Sequence, residues 1–317
     1  MSEIKKTTLT PDEARAALAE YQDKTGKSQA QIAREMDYSP AAISRFKSGT
    51  YDAEDEFIKA LTQYLKITAK RQSAPKRPPY KETSTSKQVA ELIGLCHKRG
   101  EMGVAYGDPG VGKTMAVRHY AKENEDAIII TVSPTTATIT GVNDLIANKL
   151  GTKEKTQRRI TAAIVAQLKG APRVIVIDEA QHLKAKVVNH LRSIVDATEN
   201  EYTGERIGMA LIGNDEIYLE LKVKQAAAYS QVSDRITYWK HLVAREVKKE
   251  DIALIFTEAK LEDDALELLY RISTTISTRK AVQVFTNTLA LFGVKDYSAL
   301  TTAQLAAVVK DMKIRIL

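Results

Sequence analysis

The eight residues GDPGVGKT at 107–114 carry the strongest chemical signal in the chain, because Gly107, Gly112, Lys113 and Thr114 stand at the spacing G-x-x-x-x-G-K-[ST]. Such a segment suits phosphate. Its glycines let the backbone of Gly107, Asp108, Pro109, Gly110, Val111 and Gly112 wrap an anion with inward-facing N–H groups, and the dipole of a following helix adds attraction. Lys113 is then placed to bridge the outer phosphates, and the Thr114 hydroxyl to ligate Mg²⁺. A second pair, Asp178 and Glu179, lies in RVIVIDEAQHL. Asp178 fits a second oxygen ligand for Mg²⁺, and Glu179 a carboxylate that orients and polarises an attacking water. Two adjacent acids elsewhere would read as a solvated turn, but these follow a continuous apolar run of the buried parallel type. The expected cofactors are ATP and Mg²⁺.

The elements that must position these residues alternate. Met102–Tyr106 reads as a strand, 107–114 as the phosphate loop and 115–122 as a helix. A strand at 127–132, a polar loop SPTTATITG, helices near 142–150 and 157–168, the Val174–Ile177 strand, a helix over 184–197 and a strand at 209–213 follow. A parallel sheet with helices on both faces is the α/β architecture this order implies. The rest of the chain reads as helical, and 244–317 as an all-helical lid over a core of 89–243. Residues 1–67 read as short helices, with Ser28 and Ser39-Pro40 starting two of them. Residues 68–88, TAKRQSAPKRPPYKETSTSKQ, mix proline, basic residues and Ser/Thr without an apolar period, and are expected to form a linker.

The net charge of +7 is uneven. Residues 149–192 hold ten basic and three acidic side chains, while each end of the chain is nearly neutral. Clustered Lys and Arg fit a polyanion partner or a solvated face equally well. A single cysteine, Cys96, excludes an internal disulfide, and the five histidines lack ligand spacing. No run of about 18 apolar residues could span a bilayer, and the first residues lack the apolar core of a signal peptide. The expectation is a cytoplasmic protein of a bacterial cell, without membrane contact.

Resemblances add roles to single residues. The GDPGVGKT and VIDEAQHL motifs resemble those of AAA+ P-loop ATPases. That resemblance implies a sensor 1 role for Asn214 in GMALIGND, an arginine finger reaching a neighbouring subunit's ATP at Arg235 in QVSDRI, and a sensor 2 role for Arg279 in STRKAV. SQAQIAREMDYSPAAISRFKSG resembles the helix-turn-helix of Cro and phage repressors. Its second helix would then turn Ser39, Ala41, Ala42 and Ser44 toward base edges, with Arg45 and Lys47 near phosphates. The four base-facing side chains are short, which implies weak sequence preference; a protein-contact module remains the other reading.

The combination of helix-turn-helix, basic linker, ATPase core and helical lid resembles the MuB family, the target-capture ATPases of phage Mu-type transposition. The resemblance implies nonspecific binding of double-stranded DNA in the ATP state, a helical filament or ring of like subunits on that DNA, delivery to a transposase with its stimulation, and hydrolysis-driven disassembly. Lys149, Lys153, Lys155, Arg158 and Arg159 are the candidate DNA contacts of the core. A helicase loader or replication initiator, and a helix-turn-helix transcriptional regulator, are the alternatives.

Overall fold

Thr10 accepts a hydrogen bond from the Glu13 N–H (3.4 Å) while its own N–H donates to the Glu13 carboxylate (2.8 Å), a reciprocal cap that starts α1 (Pro11–Thr25). Ser28 and Gln31 repeat the device at α2 (Gln29–Met36), and the Ser39 hydroxyl accepts from the Ala42 N–H to start α3 (Pro40–Lys47). Asp37 takes a left-handed φ of 60° between α2 and α3, so two short helices meet through a tight turn. With α4 (Asp55–Ser73) they enclose Leu18, Ile32, Ile43, Phe46, Phe57 and Leu61. Each such burial contributes about 1.5–3 kcal/mol. This computed structural model describes residues 8–50, 55–73, 75, 77–223, 235–293 and 300–315, and the chain forms two compact units, Met1–Pro75 and Lys76–Leu317.

The linker expected over 68–88 is shorter than its composition suggests. α4 runs through Ser73: Lys70 and Arg71 complement the helix C-terminus, and the Thr68 hydroxyl is satisfied within the helix by the Tyr64 carbonyl (2.9 Å). At its other end the Ser/Thr cluster is a cap: the Thr83 hydroxyl accepts from the Ser86 N–H (3.2 Å) and starts α5 (Ser84–Arg99). Ala42, expected at a base edge, is instead buried in the core of the first unit.

The second unit is built on a parallel sheet of β1 (Met102–Gly107), β2 (Ala127–Thr131), β3 (Val174–Asp178), β4 (Gly208–Ile212) and β5 (Ile236–Leu242), in the order β2-β3-β4-β1-β5. Alternate side chains enter opposite faces. Ile175, Ile177, Met209 and Leu211 pack with α7 (Ile139–Leu150), α8 (Gln157–Leu168) and α9 (Ala185–Ala197); Val174, Val176, Ala210 and Ile212 pack with α5 and α6 (Lys113–Glu123). Both faces are thus covered, which explains why these strands read as unbroken apolar runs.

The sequence pattern predicts no strand at β5. It is an edge strand, ITYWKHL, buried only at Ile236 and Leu242, so it shows neither a continuous apolar run nor a clean alternation. After it come α11 (Lys249–Ile255), α12 (Asp263–Thr275), α13 (Thr278–Leu291) and α14 (Thr302–Asp311), packed around a separate core that includes Phe256, Leu269, Ile272, Phe285 and Leu305. No helix among the described residues is long and apolar enough to cross a membrane.

Candidate nucleotide site

Parallel pairing puts the carboxyl ends of the strands on one edge: Asp178 pairs with Ile212, Ala105 with Ile212, and Gly107 with Leu242. The loops after β1, β3, β4 and β5 therefore converge, as ligand sites of open α/β sheets require. Gly107, at φ 134°, lies so close to β5 that a Cβ there would sit 2.0 Å from the Leu242 carbonyl oxygen. The Asp108 N–H donates to that oxygen (2.9 Å), and the Ala244 N–H donates to Asp108 Oδ2 (2.7 Å). The phosphate loop is thereby clamped to the exit of the edge strand. Gly112 precedes α6 at φ 111° without any side-chain cap, which leaves the first N–H groups of the helix free for an anion.

Lys113 points back into this loop, where Nζ donates to the carbonyls of Gly107 and Asp108 (2.8 Å each). Burial pushes its pKa down, and the carboxylates of Asp215, Asp108, Glu179 and Asp178 pull the other way. Next to it the Thr114 hydroxyl stands beside the Asp178 carboxylate. Asp178 is buried, so its carboxyl lies above the ordinary aspartate value, although the Thr114 hydroxyl and the Glu179 N–H (3.0 Å) favour the charged form. A hydroxyl and a carboxylate side by side are hard oxygen donors of the kind Mg²⁺ prefers, and the few protein ligands leave room for water and phosphate oxygens.

Glu179 has a left-handed backbone, φ 59°, which costs a non-glycine residue about 1 kcal/mol. Its carboxylate accepts from Gln181 Nε2 (2.5 Å), and Gln181 Oε1 accepts from the Asn214 N–H (3.3 Å). Asn214 itself caps α10 (Asp215–Tyr218), its Oδ1 accepting from the Glu216 N–H (2.9 Å). On the opposite wall Ser277 caps α13, and the Arg279 N–H donates to the Gly110 carbonyl (3.0 Å). Gly110, at φ 81°, is pressed so closely that a Cβ would meet Ser277 and Arg279 at 2.9–3.0 Å. A cleft of about 400 Å³, lined by Asp108, Pro109, Asp215, His241, Arg245 and Ile276 among others, opens between loop and helices.

The structure thus gathers Lys113, Thr114, Asp178, Glu179, Asn214 and the start of α13 at one place. Arg235 stands elsewhere. It is exposed immediately before β5, at the end where Ile236 pairs with Met102; Ile236 is six strand steps, or roughly 20 Å, from Leu242 beside the phosphate loop. The rest of QVSDRI lies outside the described residues, apart from Ile236. Sequence reasoning missed Gln181, Asp215 and His241, whose Nε2 is 3.2 Å from Asp215 Oδ1. No spacing rule marks them, because β5 brings His241 to the site from a distant part of the chain.

The basic candidates form a separate feature. Lys149 ends α7, Lys153 and Lys155 lie in the following turn, and Arg158 and Arg159 open α8; all five are exposed and make no ion pair with a described residue. In the first unit Ser39, Ser44, Arg45 and Lys47 are exposed on α3, with the Ser39 hydroxyl committed to its cap and Lys47 Nζ donating to Gln22 Oε1 (2.9 Å).

A five-stranded parallel sheet carrying this loop and this acidic strand end defines a P-loop ATPase of the AAA class, and residues 96–221 match the family described as AAA domain. The chain is 29% identical over 261 residues to the ATP-dependent target DNA activator B of Escherichia phage Mu, covering 81% of this chain and 80% of that protein. To the Mu-like prophage FluMu DNA transposition protein B of Haemophilus influenzae it is 28% identical over 270 residues, covering 83% and 90%. Among solved structures, the ORC2 protein of Aeropyrum pernix in its ADPNP-ADP complexes shares the fold, with a TM-score of 0.54 at 17% identity over 75% of this chain and 70% of that one. The protein is a nucleotide-binding AAA-class ATPase, similar over most of its length to these phage and prophage proteins.

Proposed function

We propose that this protein is a target-capture ATPase of DNA transposition: loaded with ATP it assembles on double-stranded DNA with little sequence preference, presents that DNA to a transposase and stimulates it, and hydrolysis disperses the assembly. The observation that carries the reading is similarity to proteins named as a target DNA activator and a transposition protein, along four-fifths or more of their length. In this reading the backbone from Gly107 to Gly112 and the Lys113 ammonium hold the phosphates, and Thr114 and Asp178 supply protein oxygens to Mg²⁺. Bound Mg²⁺ would neutralise charge on the phosphate oxygens. Glu179 orients the attacking water, Asn214 helps place it, and Arg279 meets the γ-phosphate from the lid.

Self-assembly is part of the same reading: Arg235 lies too far from its own phosphate loop to serve it, as an arginine finger that completes a neighbouring subunit's site would. Nonspecific grip on duplex fits the five exposed cations around the α7–α8 turn and the short, partly committed side chains of α3. Electron microscopy of the full chain with duplex DNA, with and without ATP, tests the proposal. ATP-dependent assemblies coating DNA of unrelated sequences are expected. Preference for single strands would turn the reading toward a helicase loader, and binding confined to one operator sequence toward a regulator.

A further inference from the structure

Gln181 holds neither phosphate nor metal in the reading above, and yet it joins two members of the site. It sits in the single 3₁₀ turn Ala180–His182 that follows Glu179. Its Nε2 donates to Glu179 Oε2 (2.5 Å), and its Oε1 accepts from the backbone N–H of Asn214 (3.3 Å). We propose that Gln181 is the positioning residue for Glu179: its carboxamide holds the Glu179 carboxylate in the orientation that aims the attacking water, and ties that orientation to the turn after β4. The proposal rests on the reading of Glu179 as the group that orients the water.

Three features support it. The two ends of a carboxamide are not interchangeable here, since a flipped amide would set its oxygen against a carboxylate and its NH₂ against an N–H. The amide therefore has one orientation, and so does the carboxylate it holds. Second, Gly213 leaves room for the carboxamide oxygen, because a Cβ there would lie 2.9 Å from Gln181 Oε1 and 3.0 Å from the backbone nitrogen of Gln181. Third, Glu179 has a left-handed backbone, and such a conformation persists where its surroundings over-determine it. The Glu179 N–H is taken by Asp178 Oδ1 and one carboxylate oxygen by Gln181, which leaves Oε1 of Glu179 for the water.

Steady-state ATP hydrolysis by the full chain with Mg²⁺ tests this, using Q181M, which keeps the length but loses both hydrogen bonds, and Q181E, which keeps the acceptor toward Asn214 but sets a carboxylate against Glu179. Each should lower kcat about ten- to hundred-fold, the range seen when an orienting hydrogen bond behind a working group is removed, with KM for ATP within about two-fold of the parent. In an E179Q background, Q181M should change the residual rate by less than about two-fold, because a residue that acts through Glu179 has nothing left to position. A wild-type kcat for Q181M, an equal rise in KM, or the same fold loss in the E179Q background as in the parent overturns the proposal. If Q181M lowers the melting temperature, Q181E carries the same comparison. Wild-type hydrolysis by E179Q would instead overturn the reading of Glu179 itself, whatever Gln181 does.

Discussion

Asp178 shows, within a single residue, how the site trades stability for chemistry. Its carboxyl is raised by burial, and an acid whose pKa is higher in the fold than in the unfolded chain weakens the fold once it ionises. The penalty enters as pH rises past the unfolded value and grows until the folded carboxyl has ionised. Asp178→Asn keeps an acceptor for the Glu179 N–H and removes the charge. The nucleotide-free variant should therefore melt at a higher temperature than the parent at pH 7. The difference should close as pH falls toward the ordinary aspartate value, 3.8. The stabilisation that Mg²⁺ and ATP give the parent should be lost. Thermal scans across pH check this, and a variant less stable than the parent at pH 7 would refute it. The residue types are legible in the sequence here, because phosphate loops and strand-end acids are local patterns. The burial that raises Asp178 is not, since it depends on strands that pack around it.

Among the elements, α7, α8 and α9 are joined by one buried amide. Asn143 Nδ2 donates to Gln157 Oε1 (3.3 Å) and Thr161 Oγ1 (3.0 Å), and its Oδ1 pairs with His190 Nε2 (2.9 Å). The amide connects the helix that opens with Arg158 and Arg159 to the helix that follows the Asp178–Glu179 strand end. Asn143→Leu leaves His190 and Thr161 without these partners and should cost about 2 kcal/mol. That lowers the melting temperature of the second unit by about 4–8 °C in a thermal scan. No change would mean the network contributes nothing to stability. Four of the strands are legible as strands because both faces of β1, β3 and β4 are buried and β2 is a run of isoleucines. β5 is hidden because an edge strand mixes Tyr, Trp, Lys and His. The 68–88 segment reads as a longer linker than it is because hydroxyl residues serve equally in linkers and in caps.

For the molecule as a whole, the net charge of +7 becomes informative once the residues are placed. Five exposed cations cluster around the α7–α8 turn, none of them in an ion pair with a described carboxylate, and distinct in sequence from the phosphate loop. Reversing Arg158 and Arg159 together should weaken binding of unrelated duplexes by similar factors, and should lower the slope of log K against log salt by about two, one for each arginine that no longer neutralises a phosphate. Fluorescence anisotropy over a salt series measures both quantities; unchanged binding would remove this surface from the proposal. The chemistry itself is written along the chain: the phosphate loop, the acids at a buried strand end, the alternation that makes a parallel sheet, and the helical C-terminal segment. Each lies in residues close together in sequence, where spacing and periodicity suffice. Folding alone establishes that Asp108 is clamped to Ala244, 136 residues away, that Gln181 links Glu179 to Asn214, 33 residues on, and that Arg235 lies at the far end of its own sheet. Those relations arise when β5 pairs with β1 and the strand ends are brought to one edge, a long-range closure that no local pattern encodes.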